Sequence, residues 1–269
     1  MALGTAFGAF TLYYANQIEP NWIEVTHHTV TLPRLDPAFN GYRIAQISDI
    51  HVDTWMHGER LQRAVDLLNR EHADLVVITG DFVSRRVIYD ADQLANALKA
   101  IQSEDGVLAI PGNHDHYNDN AMARIREILA STNIVDLSNR IHTLKRSNAQ
   151  LCIAGIDDVV QRRARLDLIL DSLPQDTATI LLAHEPDVAD IIAPLGRFDL
   201  QLSGHTHGGQ LRLPFIGALI SPKHGRRYDM GWFRINDLQL YVNRGLGMVT
   251  MRLRFNCRPE ISVFTLQAT

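Results

Sequence analysis

Five short segments carry side chains suited to holding metal ions: Asp49-Ile50-His51, Gly80-Asp81, Gly112-Asn113-His114-Asp115, His184, and Gly204-His205-Thr206-His207. Asp and Asn offer oxygen, His offers nitrogen, and no thiolate is among them. A mixed oxygen and nitrogen set suits Mn²⁺, Fe or Zn²⁺ better than Ca²⁺, which takes oxygen alone. On extended backbone the two outer residues of D-x-H point to one face, and those of H-T-H do the same. Such pairs could grip one ion or two adjacent ions. Taken singly, each segment has a bland meaning. Asp49 reads as a strand-end cap, Gly80-Asp81 as a turn, and His184 as a satisfied histidine. Their weight comes from occurring together, each directly after a stretch that reads as a strand.

Those strands follow from the hydrophobic pattern. Apolar, β-rich runs at Arg43–Ser48, Asp74–Thr79, Gly106–Ile110, Leu151–Ile156, Thr179–Ala183 and Phe198–Leu202 read as strands. Between them, helical spacing predicts helices at Glu59–Glu71, Asp92–Ile101, Ala121–Ala130 and Ala164–Leu173, and another starting at Pro186. Thereafter the pattern is all-β. Trp232–Ile235 and Leu238–Val242 flank Asn236-Asp237 as a hairpin, and Pro259–Leu266 is a last strand, so this part reads as antiparallel. The sum is an α/β chain with a helix-covered sheet core and extra β layers. In open α/β sheets the carboxyl ends of strands converge on a ligand crevice, which is how five distant segments could meet.

The chain has 269 residues with a net charge of −4 and a pI near 6.3. That balance argues against a nucleic-acid partner, which usually calls for a basic face. Cys152 and Cys257 form no metal-type pair and read as buried thiols. Met1–Ile18 contains no charged side chain and reads as the remnant of a membrane anchor or export signal, with a buried or frayed helix as the alternative. Residues 19–41 read as a linker plus an edge strand, and residues 42–269 as the catalytic domain. The expected location is therefore membrane-associated.

The five segments together resemble the calcineurin-like metallophosphoesterases, whose pattern is D-x-H, G-D, G-N-H followed by D or E, an isolated His, and G-H-x-H. The resemblance runs from about residue 42 to the end of the chain. It implies a four-layer α/β/β/α sandwich with two central mixed β-sheets and two divalent metal ions, Mn²⁺ foremost. It further implies that Asp49, His51 and His207 hold the first ion, that Asn113, His184 and His205 hold the second, and that Asp81 bridges both. His114 would face the substrate and protonate the leaving oxygen, with Asp115 orienting its imidazole, while a hydroxide between the ions attacks phosphorus. One position departs from the pattern. Some relatives carry an acid or amide three residues after the G-D aspartate, where this chain has Ser84.

Several neighbours of these segments are candidates for contact with substrate. His116 and Tyr117 follow the Asn-His-Asp loop, and Lys223, Arg226, Arg227 and Arg244 could meet phosphates. Gln210 could support the site, and Asp157-Asp158 reads as a strand-end cap. The apolar N-terminus, Asn243–Gly247 and the Arg254–Glu260 stretch resemble a membrane-linked bacterial subgroup associated with phosphodiesterase activity and with hydrolysis of UDP-2,3-diacylglucosamine in lipid A synthesis. The expected substrate is thus a small phosphoester or a nucleotide-linked lipid. The alternatives are a phosphomonoesterase acting on proteins or small molecules, and a scaffold without catalysis.

Overall fold

The structure is a computed structural model that describes residues 2–84 and 90–269, with side chains described from residue 8 onward. Met1 and the side chains of residues 2–7, part of the apolar N-terminal run, lie outside the described residues.

In chain order the strands are β1 (Glu24–Leu32), β2 (Arg43–Ile47), β3 (Leu75–Thr79), β4 (Val107–Ile110), β5 (Ile134–Asp136), β6 (Arg140–Arg146) and β7 (Ala149–Gly155). They continue with β8 (Thr179–Leu182), β9 (Leu200–Ser203), β10 (Arg212–Leu213), β11 (Gly217–Ala218), β12 (Gly231–Ile235), β13 (Leu238–Val242) and β14 (Glu260–Ala268). The helices are α1 (Ala2–Tyr13), α2 (Gly58–Asn69), α3 (Ala91–Lys99), α4 (Asp119–Ser131), α5 (Leu166–Leu170) and α6 (Ala189–Ile192).

Two six-stranded mixed sheets form the centre, in the orders β1-β14-β2-β3-β4-β5 and β12-β13-β9-β8-β7-β6. β3 shows why they stack. All five of its residues are buried, and they alternate between two cores. Val76 and Ile78 pack outward with Leu61 and Val65 of α2 and Leu94 and Leu98 of α3. Leu75 and Val77 pack inward with Ile153, Ile180 and Leu202 of the second sheet. A strand covered on both faces reads as a continuous apolar run, as this one does. The outer face of the second sheet is covered in turn by Ile169 of α5 and Ile192 of α6. The result is a four-layer α/β/β/α sandwich.

Phe264 of β14 sits between the sheets, fully buried. Its ring lies 5.1 Å from that of Tyr241 on β13 and 5.6 Å from His28 on β1. Aromatic pairs at such spacing add stabilisation beyond the area they bury.

The structure corrects several sequence-level expectations. The segment after β9 is not purely antiparallel, because β13 runs parallel to β9 and β14 runs parallel to β1 while antiparallel to β2. β5 and β6 were not anticipated; β6 is an edge strand whose charged residues hide the alternation. The helix expected over Ala164–Leu173 shrinks to Leu166–Leu170. The one expected from Pro186 breaks into three short turns, the last holding Pro194, which cannot continue a helix. At the N-terminus α1 covers 12 residues, and among the described residues no helix is long and apolar enough to cross a membrane.

Truncating Phe264 removes a ring from a close-packed layer between two rigid sheets. Phe264→Ala should lower unfolding free energy by about 3–5 kcal/mol, read as a lower urea midpoint at unchanged slope.

Candidate metal centre

The five segments leave the carboxyl ends of β2, β3, β4, β8 and β9 and meet above the two sheets. The backbone that brings them there is not extended. Asp49, His51, Asp81, His205 and His207 all have φ between 49° and 71°. The expectation that D-x-H and H-T-H share a face through extended backbone is therefore corrected: left-handed residues curl each loop so that both side chains turn to one point. Non-glycine residues held there cost on the order of 1–3 kcal/mol each, and such strain gathers at functional sites.

The ligand-type atoms form overlapping groups. Asp49, His51 and His207 offer atoms within 4.8 Å of one another, as do Asp49, Asp81 and His184. His51 Nε2 lies 3.1 Å from His207 Nε2, and His207 Nε2 lies 3.3 Å from Asp49 Oδ1. Asp81 Oδ2 is 3.4 Å from His51 Nε2 and 3.3 Å from His184 Nε2, so this one carboxylate faces both sides of the cluster. On the far side His205 Nδ1 approaches Asn113 Oδ1 at 2.9 Å.

Backbone carbonyls fix which nitrogen faces inward. His51 Nδ1 donates to Val83 O at 3.2 Å, and His184 Nδ1 donates to Thr79 O at 2.6 Å. His205 Nε2 donates to Lys223 O at 2.7 Å. A carbonyl only accepts, so the opposite nitrogen of each ring carries a lone pair toward the cluster. Such outer hydrogen bonds orient metal-binding imidazoles. The consequence is buried acceptors facing one another: the inward lone pair of His205 against Asn113 Oδ1 and that of His184 against the Asp81 carboxylate. His184 Nε2 is buried without a hydrogen-bond partner among the described residues. A cation resolves that conflict, so these residues fit a divalent metal pair.

The electrostatics agree. Burial pushes Asp49 up to about 6 and His51 down to about 3. Burial also depresses His205, to about 4. At Asp81 burial acts upward, but the surrounding His184, His114 and His51 rings outweigh it and hold the carboxyl well below its ordinary range. At His184 burial acts downward, yet Asp81 and Asp49 together raise the ring well above its ordinary value.

Two further groups brace the site. Asp115 accepts from Val83 N at 3.2 Å and from Gly112 N at 2.9 Å, so its carboxylate ties the Asp81 loop to the Asn113 loop. Burial, then the nearby Asp81, raises its carboxyl to about 7. Arg254 is fully buried and donates to the carbonyls of Cys257, Arg244, Gly245 and Gly247. The loop it holds presses on the first ligand: Leu246 N donates to Ser48 O at 3.0 Å and Gly247 N to Asp49 O at 2.7 Å. Gly245 has φ 67°, and a Cβ there would lie 2.7 Å from that of Asp49.

A cavity of about 400 Å³ opens over the cluster. Asp81, Asn113, His114, His205 and His207 line one end, and Leu211, Ile220, Val249 and Met251 line much of the rest. Tyr117 and Lys223 are on its wall. Gln210 also lines it and binds the backbone of Val249, Met251 and Leu253, so it braces the wall.

Two substrate-contact expectations are corrected. His116 is outside this lining; its Nε2 lies 2.6 Å from Asp157 Oδ1, and both side chains are nearly buried. Arg244 is held by Glu260 at 2.7 Å and Glu24 at 2.8 Å, which occupies its guanidinium away from the cavity. Arg227 pairs with Asp190 at 2.8 Å. Ser84 Oγ donates to His51 O at 3.3 Å. Sequence reasoning passed over Glu185, whose carboxylate groups with His184 and His205 as a possible ligand set and sits beside Asp158. The signal was its place directly after His184. Arg254 was noticed only as part of a resemblance, since no pattern separates a buried arginine from a surface one.

Comparison with known proteins points the same way. The model of the calcineurin-like phosphoesterase family matches residues 42–209. The chain is 36% identical over 258 residues to the uncharacterized metallophosphoesterase YkuE of Bacillus subtilis, covering 95% of this chain and 90% of that one. It is 28% identical over 268 residues to the phosphodiesterase YaeI of Escherichia coli, covering 99% and 94%. Among solved structures, the NAD nucleotidase NadN of Haemophilus influenzae superposes with a TM-score of 0.52 at 13% identity, over 76% of this chain and 50% of that one, a likeness of fold.

A methyl group at Gly112 would lie 2.7 Å from Asp81 N and 2.8 Å from His184 Cε1. Gly112→Ala should therefore keep its circular dichroism but lose bound metal, measured by elemental analysis of the purified protein. Arg254→Met strands four buried carbonyls and should cost about 3–5 kcal/mol in urea unfolding. Its metal affinity should fall as well, read by competition with a chelating dye, and Arg254→Lys should not restore it because an ammonium lacks the guanidinium fork.

Proposed function

Because the chain belongs to the calcineurin-like phosphoesterase family and is a metal-dependent phosphoester hydrolase, we propose that its substrate is a phosphodiester or pyrophosphate ester carrying an apolar group. The observation that carries this reading is the two-sided cavity, with polar ligand-type groups at one end and an apolar wall along the rest. A diester has two substituents to place, and an apolar one is matched by Leu211, Ile220, Val249 and Met251. A simple phosphomonoester leaves that wall unused. The 28% identity to a protein named a phosphodiesterase supports the same choice. UDP-2,3-diacylglucosamine is one compound of this class, and the charge-free N-terminal run supports association with a membrane where such an ester resides.

In this reading Asp49, His51 and His207 hold one divalent ion, Asn113, His184 and His205 the other, and Asp81 both, with Mn²⁺ as the metal. When bound, such a pair neutralises phosphoryl charge and supplies a water-derived nucleophile near neutral pH. The chain's own residues do the rest. His114 N donates to Asp81 Oδ1 at 2.8 Å, which fixes that residue beside the bridging carboxylate. Its ring packs edge-on against His51 at 4.8 Å and Tyr117 at 5.1 Å, at the cavity wall. From there it gives its proton to the leaving oxygen as the P–O bond breaks. Lys223, also in the cavity lining, meets a remaining phosphoryl oxygen. The apolar wall keeps bulk water from the reacting centre, which strengthens each of these interactions.

The enzyme loaded with Mn²⁺ should hydrolyse bis-p-nitrophenyl phosphate in preference to p-nitrophenyl phosphate, and the reverse preference would favour a phosphomonoesterase. His114→Ala should retain both metals and slow turnover by roughly 10²–10⁴. Loss of metal from that variant would make His114 a ligand instead.

A further inference from the structure

The hairpin β10–β11 has a composition that folding alone does not require. Its tip is Pro214-Phe215-Ile216, with Ile216 N bonded to Leu213 O at 3.2 Å. Phe215 is completely exposed, at 109% of its reference area, and has φ 67°. A bulky residue in the left-handed region is disfavoured, and a turn needs only Gly or Asn there. Leu213, Ile216, Leu219 and Ile220 are exposed beside it. Scattered exposed apolar residues are ordinary, but a contiguous cluster marks an interaction site.

Charge limits what that site can meet. From Leu200 to Tyr228 there is no Asp or Glu, while Arg212, Lys223, Arg226 and Arg227 lie in this span, Arg212 paired with Asp229 and Arg227 with Asp190. Lys223 and Arg226, in the segment that follows the hairpin, are exposed, and Lys223 shares the cavity lining with Leu211 and Ile220. An apolar tip flanked by cations suits an interface of anionic headgroups over acyl chains.

A second apolar element converges on the same rim. Phe10, Leu12 and Tyr13 are exposed on the charge-free helix α1. The end of that helix is fixed to the strip 252–255. Ala15 O accepts from Arg254 N at 2.8 Å, Asn16 Nδ2 donates to Arg252 O at 2.7 Å, and the Tyr14 ring packs on Phe255 at 6.3 Å. Glu19, buried, accepts from Cys257 N. The strip in turn pairs with the hairpin base, where Arg212 N donates to Phe255 O at 2.9 Å. Leu211 and Ile220, at the two ends of the hairpin, also line the cavity, and so does Met251.

We propose that the hairpin β10–β11 inserts its Phe215-Ile216 tip into an anionic lipid surface beside α1, so that the cavity mouth faces the lipid. Substrate then enters from the membrane plane along Leu211 and Ile220. The docking goes beyond the choice of ester and does not depend on it.

The test uses the full chain with Mn²⁺ and vesicles of phosphatidylcholine with or without phosphatidylglycerol. Cys152 and Cys257 are buried, so Phe215→Cys can be labelled selectively with an environment-sensitive dye. Vesicles with phosphatidylglycerol should shift its emission to the blue, and lipid-borne spin labels should quench it. The double variant Phe215→Glu with Ile216→Glu should lower vesicle partition by at least roughly tenfold. Its hydrolysis of soluble bis-p-nitrophenyl phosphate should be unchanged. An unquenched dye, or equal partition of the double variant, overturns the proposal. So does conversion of a dimer to a monomer by the same variant in vesicle-free buffer, which would assign the hairpin to a second copy of the chain. Failure of the parent enzyme to cleave any phosphoester would count against the substrate reading alone, since partition and quenching need no turnover.

Discussion

Burying two carboxylates and four imidazoles within a few ångströms of one another is the constraint on which the rest of this molecule depends. Asp49, Asp81, His51, His184, His205 and His207 are each at most 8% exposed. Removing such groups from water costs several kcal/mol apiece unless opposite charge compensates. The outward nitrogens of His51, His184 and His205 are tied to the Val83, Thr79 and Lys223 carbonyls, so the inward lone pairs of these three rings cannot turn away. The site is therefore built around a charge that the side chains do not supply. Five of its residues also hold left-handed backbone, and the surroundings must enforce that conformation.

Two central sheets supply the enforcement. Strand ends are rigid because both faces of β3 and its neighbours are packed. Beyond the sheets, Asp115 links two loops by accepting backbone protons from each, and Arg254 gathers four carbonyls from the segment beneath Asp49. Neither group lines the cavity. Both convert the stiffness of the sandwich into fixed positions for metal-binding atoms, as second-layer partners do in metal sites generally.

The residue types of the centre were legible in the sequence because chemistry restricts which letters can hold a cation, and because each group follows an apolar run. That the central strands are covered on both faces was legible for a related reason, since β3 and β8 are too apolar to face water, whereas the four-layer stacking came from the family resemblance alone. Backbone shape was not legible. Asp49-Ile50-His51 by itself favours extended backbone, and the left-handed φ of Asp49 and His51 is imposed by hydrogen bonds from two distant loops, Gly80–Phe82 and Asn243–Gly247. Basic residues were the least readable. Arg244 is spelled like a phosphate ligand, yet two carboxylates more than fifteen residues away, Glu24 and Glu260, claim it. β6 escaped notice because an edge strand with Arg140, Lys145 and Arg146 shows no clean alternation.

The pairing of β1 with β14 has a consequence for how the molecule is made. Glu24 aligns with Glu260 and Leu32 with Ala268, and β14 lies between β1 and β2. On a ribosome, β1 emerges early but has no neighbour until more than two hundred further residues have been translated. The first sheet can thus close only late, through contacts of very long sequence separation, which fold slowly. Until then the segment leading into β1 lacks its docking place against Arg254 and Cys257, leaving its apolar side chains open to other chains or to chaperones before the native core forms.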